Sequence, residues 1–168
     1  MALNAYLRME GQKQGPIKGS VTLKGREDSI MVIAFNHEVL SPRDIVSGLP
    51  TGMRQHKMLT ITKEIDKATP LLMNALVTNE KLKKFELRFW RPSSSGAPSG
   101  IGMEKQFFTI QLINANVADI KMEMLDNVYP ENVVHKEREH ISFTYQKIIW
   151  TYEEGGITST DDWDSSRI

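Results

Sequence analysis

Apolar and polar residues alternate with a period of two through most of this chain, which confines it to a fold built from half-buried β-strands. Over residues 17–24, Ile17, Gly19, Val21 and Leu23 share one face, and Lys18, Ser20, Thr22 and Lys24 the other. Between 57 and 65, Met58, Thr60, Thr62 and Glu64 oppose Leu59, Ile61, Lys63 and Ile65. Residues 82–91 set Phe85, Leu87 and Phe89 against Glu86, Arg88 and Trp90. In 141–153, Ile141, Phe143, Tyr145, Lys147 and Ile149 oppose Ser142, Thr144, Gln146, Ile148, Trp150 and Tyr152, which reads as one final strand. Residues 3–9 alternate weakly before the turn EGQKQGP, and SIMVIAFNHEVL at 29–40 is rich in β-formers. Residues 105–124 are long enough for one bent strand or two, and 125–140 read as a polar connection.

One stretch has another rhythm. Thr69 can cap a helix and Pro70 suits its first position. Leu71, Leu72, Ala75 and Leu76 then form a single stripe, so the spacing predicts a helix over 70–79. A lone amphipathic helix must bury that stripe against a sheet. About eight strands and one helix make a mainly β fold, and closure into a barrel removes exposed sheet edges. With 168 residues and no internal repeat, the chain reads as one domain over 1–155. A polar, acidic tail follows over 156–168, expected to be mobile, in which Trp163 is a candidate anchor for a partner. Trp90 and Trp150 lie on strands and read as packing residues.

Two loops stand apart. LSPRDIVSGLPTGMRQH, residues 40–56, holds two prolines and two glycines, which suit neither helix nor central strand. It is either a floppy surface excursion or an arm reaching a neighbouring subunit. Ile45, Val46, Leu49 and Met53 favour the arm, because a purely solvated loop has no use for four apolar side chains. PSSSGAPSGIG, residues 92–102, reads as an enlarged, mobile hairpin tip.

Composition mainly excludes. The absence of cysteine rules out a disulfide scaffold, a Cys-ligated zinc and a thiol nucleophile. A formal net charge of zero argues against broad nucleic-acid binding, whose affinity comes from a basic face. No apolar run approaches the ~20 residues of a spanning helix, so membrane insertion is not expected. MALNAYLRMEGQ has neither the basic nor the apolar region of a secretory signal. His135 and Glu139 have a helical metal-ligand spacing, but their segment runs into a strand. No HExxH, GxSxG or phosphate-cradling glycine motif occurs in a suitable context. The adjacent carboxylates Glu27/Asp28, Glu153/Glu154 and Asp161/Asp162 point to opposite faces of an extended chain. No catalytic residue, metal or cofactor is expected.

The order of motifs says more than any one site. EGQxQGxIxG is followed by FNHEVLSPRD, SGxPTGxRQHKxxTITKEIDKATPLLxNAL, ELRFWR, FFTIQLxNAxVxDI, FTYQKIIWTYEEGG and DDW. This order resembles the Hcp (haemolysin-coregulated protein) family, the tube subunits of type VI secretion systems, over nearly the whole chain. The most specific parts are TGxRxHK, the helix entry K-x-x-D-K-A-x-P-L-L, and the strand Y-x-K-I-x-W-T followed by DDW. The resemblance implies a β-barrel of two packed antiparallel sheets with one flanking α-helix, similar to phage tail-tube proteins. It implies homo-hexameric rings, stacked inside a contractile sheath, capped by a VgrG-type spike protein and carrying effector proteins in the channel. It also implies cytoplasmic synthesis, then secretion to the extracellular space or a target cell. The loop at 41–56 would touch neighbouring subunits or the next ring, which implicates Ile45, Val46, Leu49, Met53, Arg54 and His56 in subunit contacts. The helix would pack outside the barrel, toward the sheath. The 92–102 tip is longer and richer in Gly and Ser than the family pattern. Only DSSRI follows DDW, which disfavours a fused toxin domain. The alternatives are a monomeric small-molecule-binding β-barrel, which needs an enclosed apolar cavity, and an enzyme, which needs a site that no motif supplies.

Overall fold

The structure, a computed structural model, describes residues 4–93 and 104–164. β1 (Asn4–Gly11) turns back into β2 (Gly15–Ile17) through Gly15, whose φ of 73° favours glycine. The Glu80 carboxylate holds this turn by accepting the amides of Lys13 and Gln14 at 2.5 and 2.9 Å. The strand expected over 17–24 is not continued beyond Ile17. Residues 18–29 fold on themselves instead: the Gly19 amide donates to Asp28 and the Asp28 amide to Val21. Gly19 lies so close to the Ser29 backbone that an added Cβ would collide with its carbonyl. Leu23, expected on the inner face, is exposed.

The apolar run over 29–40 forms three short strands: β3 (Ile30–Val32), β4 (Ala34–Asn36) and β5 (Val39–Leu40). β3 pairs with β1. The chain bends at Ile33, whose amide donates to Thr62, and β4 pairs with β7 (Leu59–Glu64). β5 pairs with β6 (Gln55–His56) in a separate two-stranded sheet. Richness in β-formers marks extended chain but not a change of partner, so residues 29–40 read as one stretch.

After β7 come α1 (Thr69–Val77), β8 (Lys81–Pro92), β9 (Glu104–Ile113) and β10 (Ala115–Glu123). A 3-10 turn at Pro130–Asn132 precedes β11 (Arg138–Thr144), β12 (Lys147–Tyr152) and β13 (Ile157–Asp162). β8 and β9 pair out to Pro92 and Glu104, as a hairpin requires. From residue 94 to 103, the tip expected there lies outside the described residues.

Eleven strands form one antiparallel sheet in the order β13-β12-β9-β8-β10-β11-β7-β4, with β1 on β8 and β2 and β3 on β1. β8 is the branch point. Its first residues pair with β10, and the rest lies between β9 and β1. The sheet therefore curls into a barrel of two packed layers, one from β3 to β13 and one from β10 to β4. The chain passes between layers where strands bend, at Ile33, at Asn114 (φ 51°) and at Tyr145–Gln146. The last bend divides the strand expected over 141–153. Ile141, Phe143 and Tyr145 face inward before it and Ile148 after it, so the inner face passes from odd to even positions.

Phe85 and Phe143 meet edge-on across the layers at 4.9 Å. Leu7, Ile30, Leu59 and Ile61 are also fully buried, each contributing about 1.5–3 kcal/mol by burial. α1 seals the barrel's outside, with Leu72 and Ala75 buried and Leu71 and Leu76 partly so. Its cap differs from the one expected. Ala68 holds the capping position, and the Asp66 carboxylate accepts the Ala68 amide at 2.9 Å. Pro70 is the second helical residue rather than the first. Thr69 turns inward, where its hydroxyl donates to Glu139 at 2.9 Å.

Glu139 shares that carboxylate oxygen with the ammonium of Lys63, and both side chains are fully buried. Lys63 also pairs with Asp66 at 2.9 Å and donates to the Glu64 carbonyl at 2.8 Å. The helix-entry motif, read from Lys63 to Leu72, is thus an ionic bolt joining β7, β11 and the start of α1.

Candidate functional site

The arm continues the β4–β7 ribbon past the end of the barrel. Val39 pairs with His56 and Leu40 with Gln55. Farther out, Arg43 bridges Pro50, and the Thr51 amide donates to Pro42 at 3.1 Å. At the tip the Asp44 carboxylate accepts the amides of Val46 and Ser47 at 3.1 and 2.7 Å, and the Ser47 hydroxyl at 2.7 Å. Gly48, at φ 70°, closes the turn. Prolines and glycines that argue against a central strand are here the residues of a hydrogen-bonded hairpin. Its tip points four apolar side chains at solvent: Ile45 and Val46 are 100% and 96% exposed, and Leu49 and Met53 are exposed as well.

A knot of polar and aromatic groups fixes the root of the arm. His37 lies just before β5, and His56 ends β6, so the two imidazoles bracket the arm. Both reach one phenol: the Tyr145 hydroxyl lies 2.7 Å from His37 Nε2 and 3.0 Å from His56 Nδ1. It also lies 3.3 Å from the Lys57 carbonyl, a further acceptor. On its other side, His56 Nε2 lies 2.7 Å from Asp161 Oδ2. Arg54 grips the same carboxylate with two nitrogens, Nε to Oδ2 and Nη2 to Oδ1, and reaches the Asp162 carbonyl at 3.2 Å. Trp163 stacks on His56 at 5.9 Å and meets the Tyr145 ring edge-on at 4.9 Å. The Trp163 amide donates to Gln146 at 2.7 Å.

The proton inventory suits this arrangement. A neutral His56 that donates from Nε2 to Asp161 presents a bare Nδ1, which accepts the Tyr145 proton. The phenol oxygen then accepts Nε2–H of His37. Burial holds His37 below the usual imidazole range. The Arg54 guanidinium holds the Asp161 carboxyl below the usual carboxylate range, helped by the hydrogen bond from His56. Burial pushes the Tyr145 phenol up, with the charge of Asp161 adding to it. Tyr145, His56 and Asp161 are strung together like a nucleophile, base and orienting acid. However, the phenol is buried, its hydroxyl is engaged by its own chain, and ionising it is disfavoured. The string works as a fastening rather than a reactive site.

Of the six residues implicated in subunit contacts, Ile45, Val46, Leu49 and Met53 lie on the outer arm. Arg54 and His56 lie at its root and face their own barrel. The stretch expected as a free tail holds β13, which pairs with β12 over its full length, and Trp163 is anchored on its own chain. Sequence reasoning missed Tyr145, Asp161 and His37. The available signal was that His37 and His56 flank the loop while DDW closes the motif series. His135 is exposed and Glu139 buried, so these two do not converge. Among the described residues no cluster of three or more His, Asp or Glu is placed to hold a metal. Among the described residues, surface grooves include one of about 370 Å³ between Tyr6, Leu23, Met31, Ile33 and Ile65, and one of about 250 Å³ between Phe35, Phe89 and Phe107.

Comparison with known proteins agrees with this architecture. The family described as "Type VI secretion system effector, Hcp" matches residues 6–152. The "Major exported protein" of Pseudomonas aeruginosa is 41% identical over 174 aligned positions, covering 98% of this chain and 98% of that protein. The Hcp1 protein of E. coli EAEC 042, solved with two tryptophan substitutions, is 33% identical with a TM-score of 0.82, over 96% of this chain and 99% of that one. Secreted protein Hcp3 from Pseudomonas aeruginosa is 35% identical with a TM-score of 0.76, over 98% of this chain and 100% of that one.

Proposed function

Because the chain belongs to the Hcp family of type VI secretion proteins, a structural tube family rather than an enzyme family, we propose that it is a ring-forming brick of the secretion tube. Six copies close into a ring, and rings stack into a conduit that carries effector proteins, lies within a contractile sheath and bears a VgrG-type spike. The chain is made in the cytoplasm and leaves the cell with the tube. The export named for its Pseudomonas aeruginosa relative supports that route.

The observation that carries this reading is the arm. A hairpin rigidly fastened at its root and wholly exposed at an apolar tip has a cost in water that only a partner surface removes. The two ends of the main sheet support it further. Among the described residues β13 and β4 each pair on one side only, and such edges are templates for joining copies. Ile45, Val46, Leu49 and Met53 make the contacts, while Arg54 and His56 aim them.

Absolute mass by light scattering on a sizing column, with negative-stain images of the peak, tests the reading. Six copies of a 19.1 kDa chain give about 115 kDa and ring-shaped particles. Replacing residues 43–54 with a short Gly/Ser link should leave the barrel folded and abolish assembly and secretion. A protein that stays monomeric at high concentration, or an armless variant with unchanged oligomer size and secretion, refutes it.

A further inference from the structure

An exposed apolar tip calls for a matching surface, and the chain carries one at its opposite end. β7 runs from the root of the arm, where Leu59 lies beside Phe143, to Glu64 beside Arg138, a span of roughly 20 Å. At that far end the connection between β10 and β11 exposes Met122, Met124, Val128, Tyr129, Val133 and Val134, with Val128 and Val134 at 82% and 80%. This connection is held in shape. The Val128 amide donates to the Asp126 carboxylate, the Asn132 side chain to the Asp126 carbonyl and the His135 amide to the Asn132 carbonyl, each at 2.9 Å.

The charges also fit. Asp44 is used up inside the tip turn, which leaves the exposed Arg43 as the outward charge of the tip. Beside the apolar patch stand the exposed carboxylates Glu131 and Glu137, while Lys136 is engaged with Glu64 at 3.1 Å.

We propose that the arm tip of one copy seats on the Met122–Val134 patch of the next copy, apolar on apolar, with Arg43 against Glu131 or Glu137. Donor and receiver lie beyond opposite ends of β7, so the contact is head-to-tail. Such a contact does not satisfy itself in a pair, and it repeats from copy to copy, around a ring or along an axis. The inference rests on the tube reading and names the surface that the arm engages.

The chain has no cysteine, so single cysteines report contacts cleanly. Ile45→Cys and Val134→Cys are made separately, one with a mass tag, and mixed at a concentration where light scattering reads the assembly state. A short bis-maleimide is then added, and denaturing gels read the products. The expected product is the tagged–untagged dimer, in several-fold excess over either homodimer, and a ladder of multimers from the doubly substituted chain. Arg43→Glu should lower the yield several-fold, and Glu131→Arg in the partner should restore it. Assembled protein without the mixed dimer overturns this pairing and leaves the tube reading standing. A double variant that stops at a closed dimer overturns the head-to-tail arrangement. Monomer throughout, with no cross-link, overturns both.

Discussion

Tyr145→Phe removes one oxygen and little else, and it isolates what holds the arm. The ring contacts to Trp163 and His56 at 4.9 and 5.6 Å remain available to phenylalanine, so packing is preserved. The missing hydroxyl ends the bonds to His37 and His56. Each such bond contributes about 0.5–1.5 kcal/mol, and a buried group left without its partner costs about 1–3 kcal/mol. His56 is buried and loses the partner of Nδ1, whereas half-buried His37 regains water. The sum is about 2–4 kcal/mol, concentrated at the two legs of the arm. Opening of those legs should become about thirty- to several-hundred-fold more frequent, since about 1.4 kcal/mol is tenfold. Hydrogen exchange reads this at the paired amides of β5 and β6 and at Lys57, whose amide donates to Glu38. Amides of β8 and β9 serve as the reference and should be unchanged. Arm exchange within about threefold of the parent would refute the fastening and leave the arm stiff for another reason.

Two further predictions follow from buried and titrating charge. Lys63→Met strands the fully buried Glu139 and should cost about 3–5 kcal/mol, whereas Lys63→Met with Glu139→Leu should recover most of the loss. Denaturant midpoints decide this, and a double variant as weak as the single would remove the ion pair as the cause. Acidification should loosen the root of the arm in two stages. His37 titrates below its ordinary value because it is buried neutral, so its contribution is complete above about pH 6.5 and is lost as pH falls from there. Asp161 is held low by Arg54, so its contribution survives until pH drops below about 3.9 and is lost beneath it. Thermal midpoints from pH 7 to 5 should fall less steeply in His37→Gln than in the parent, and parallel slopes would exclude His37.

Alternation located β7 well, where one face stays buried and the strand keeps the same neighbours along its length. It failed where the chain changes neighbour. Val32 and Phe35 look like one strand because both are apolar, yet Val32 pairs across to Ala5 and Phe35 to Ile61. Nothing local records the bend at Ile33 between them. Tyr145 and Gln146 conceal a similar turn, which moved the inner face onto Ile148. The site was half legible. Four apolar residues in a Pro/Gly-rich loop marked out the hairpin that the structure projects into solvent. The partners that steady it lie far away in sequence, with Arg54 and Asp161 separated by 107 positions. Only folding brings such residues together. Lys63 did leave a trace, because it shared the inner face with Leu59 and Ile61. A lysine there requires a buried carboxylate, but not the identity of Glu139.

That separation gives the arm a clock. During synthesis at roughly 5–20 residues per second, Arg54 and His56 leave the ribosome many seconds before Asp161 exists to receive them. A nascent chain therefore displays its apolar hairpin unbraced and unaimed. The hairpin becomes presentable to a neighbour only when the last strand has been made and laid against β12. On the proposed tube reading, binding strength is thereby withheld from fragments, and a stalled or prematurely terminated chain lacks the brace with which to join its finished siblings.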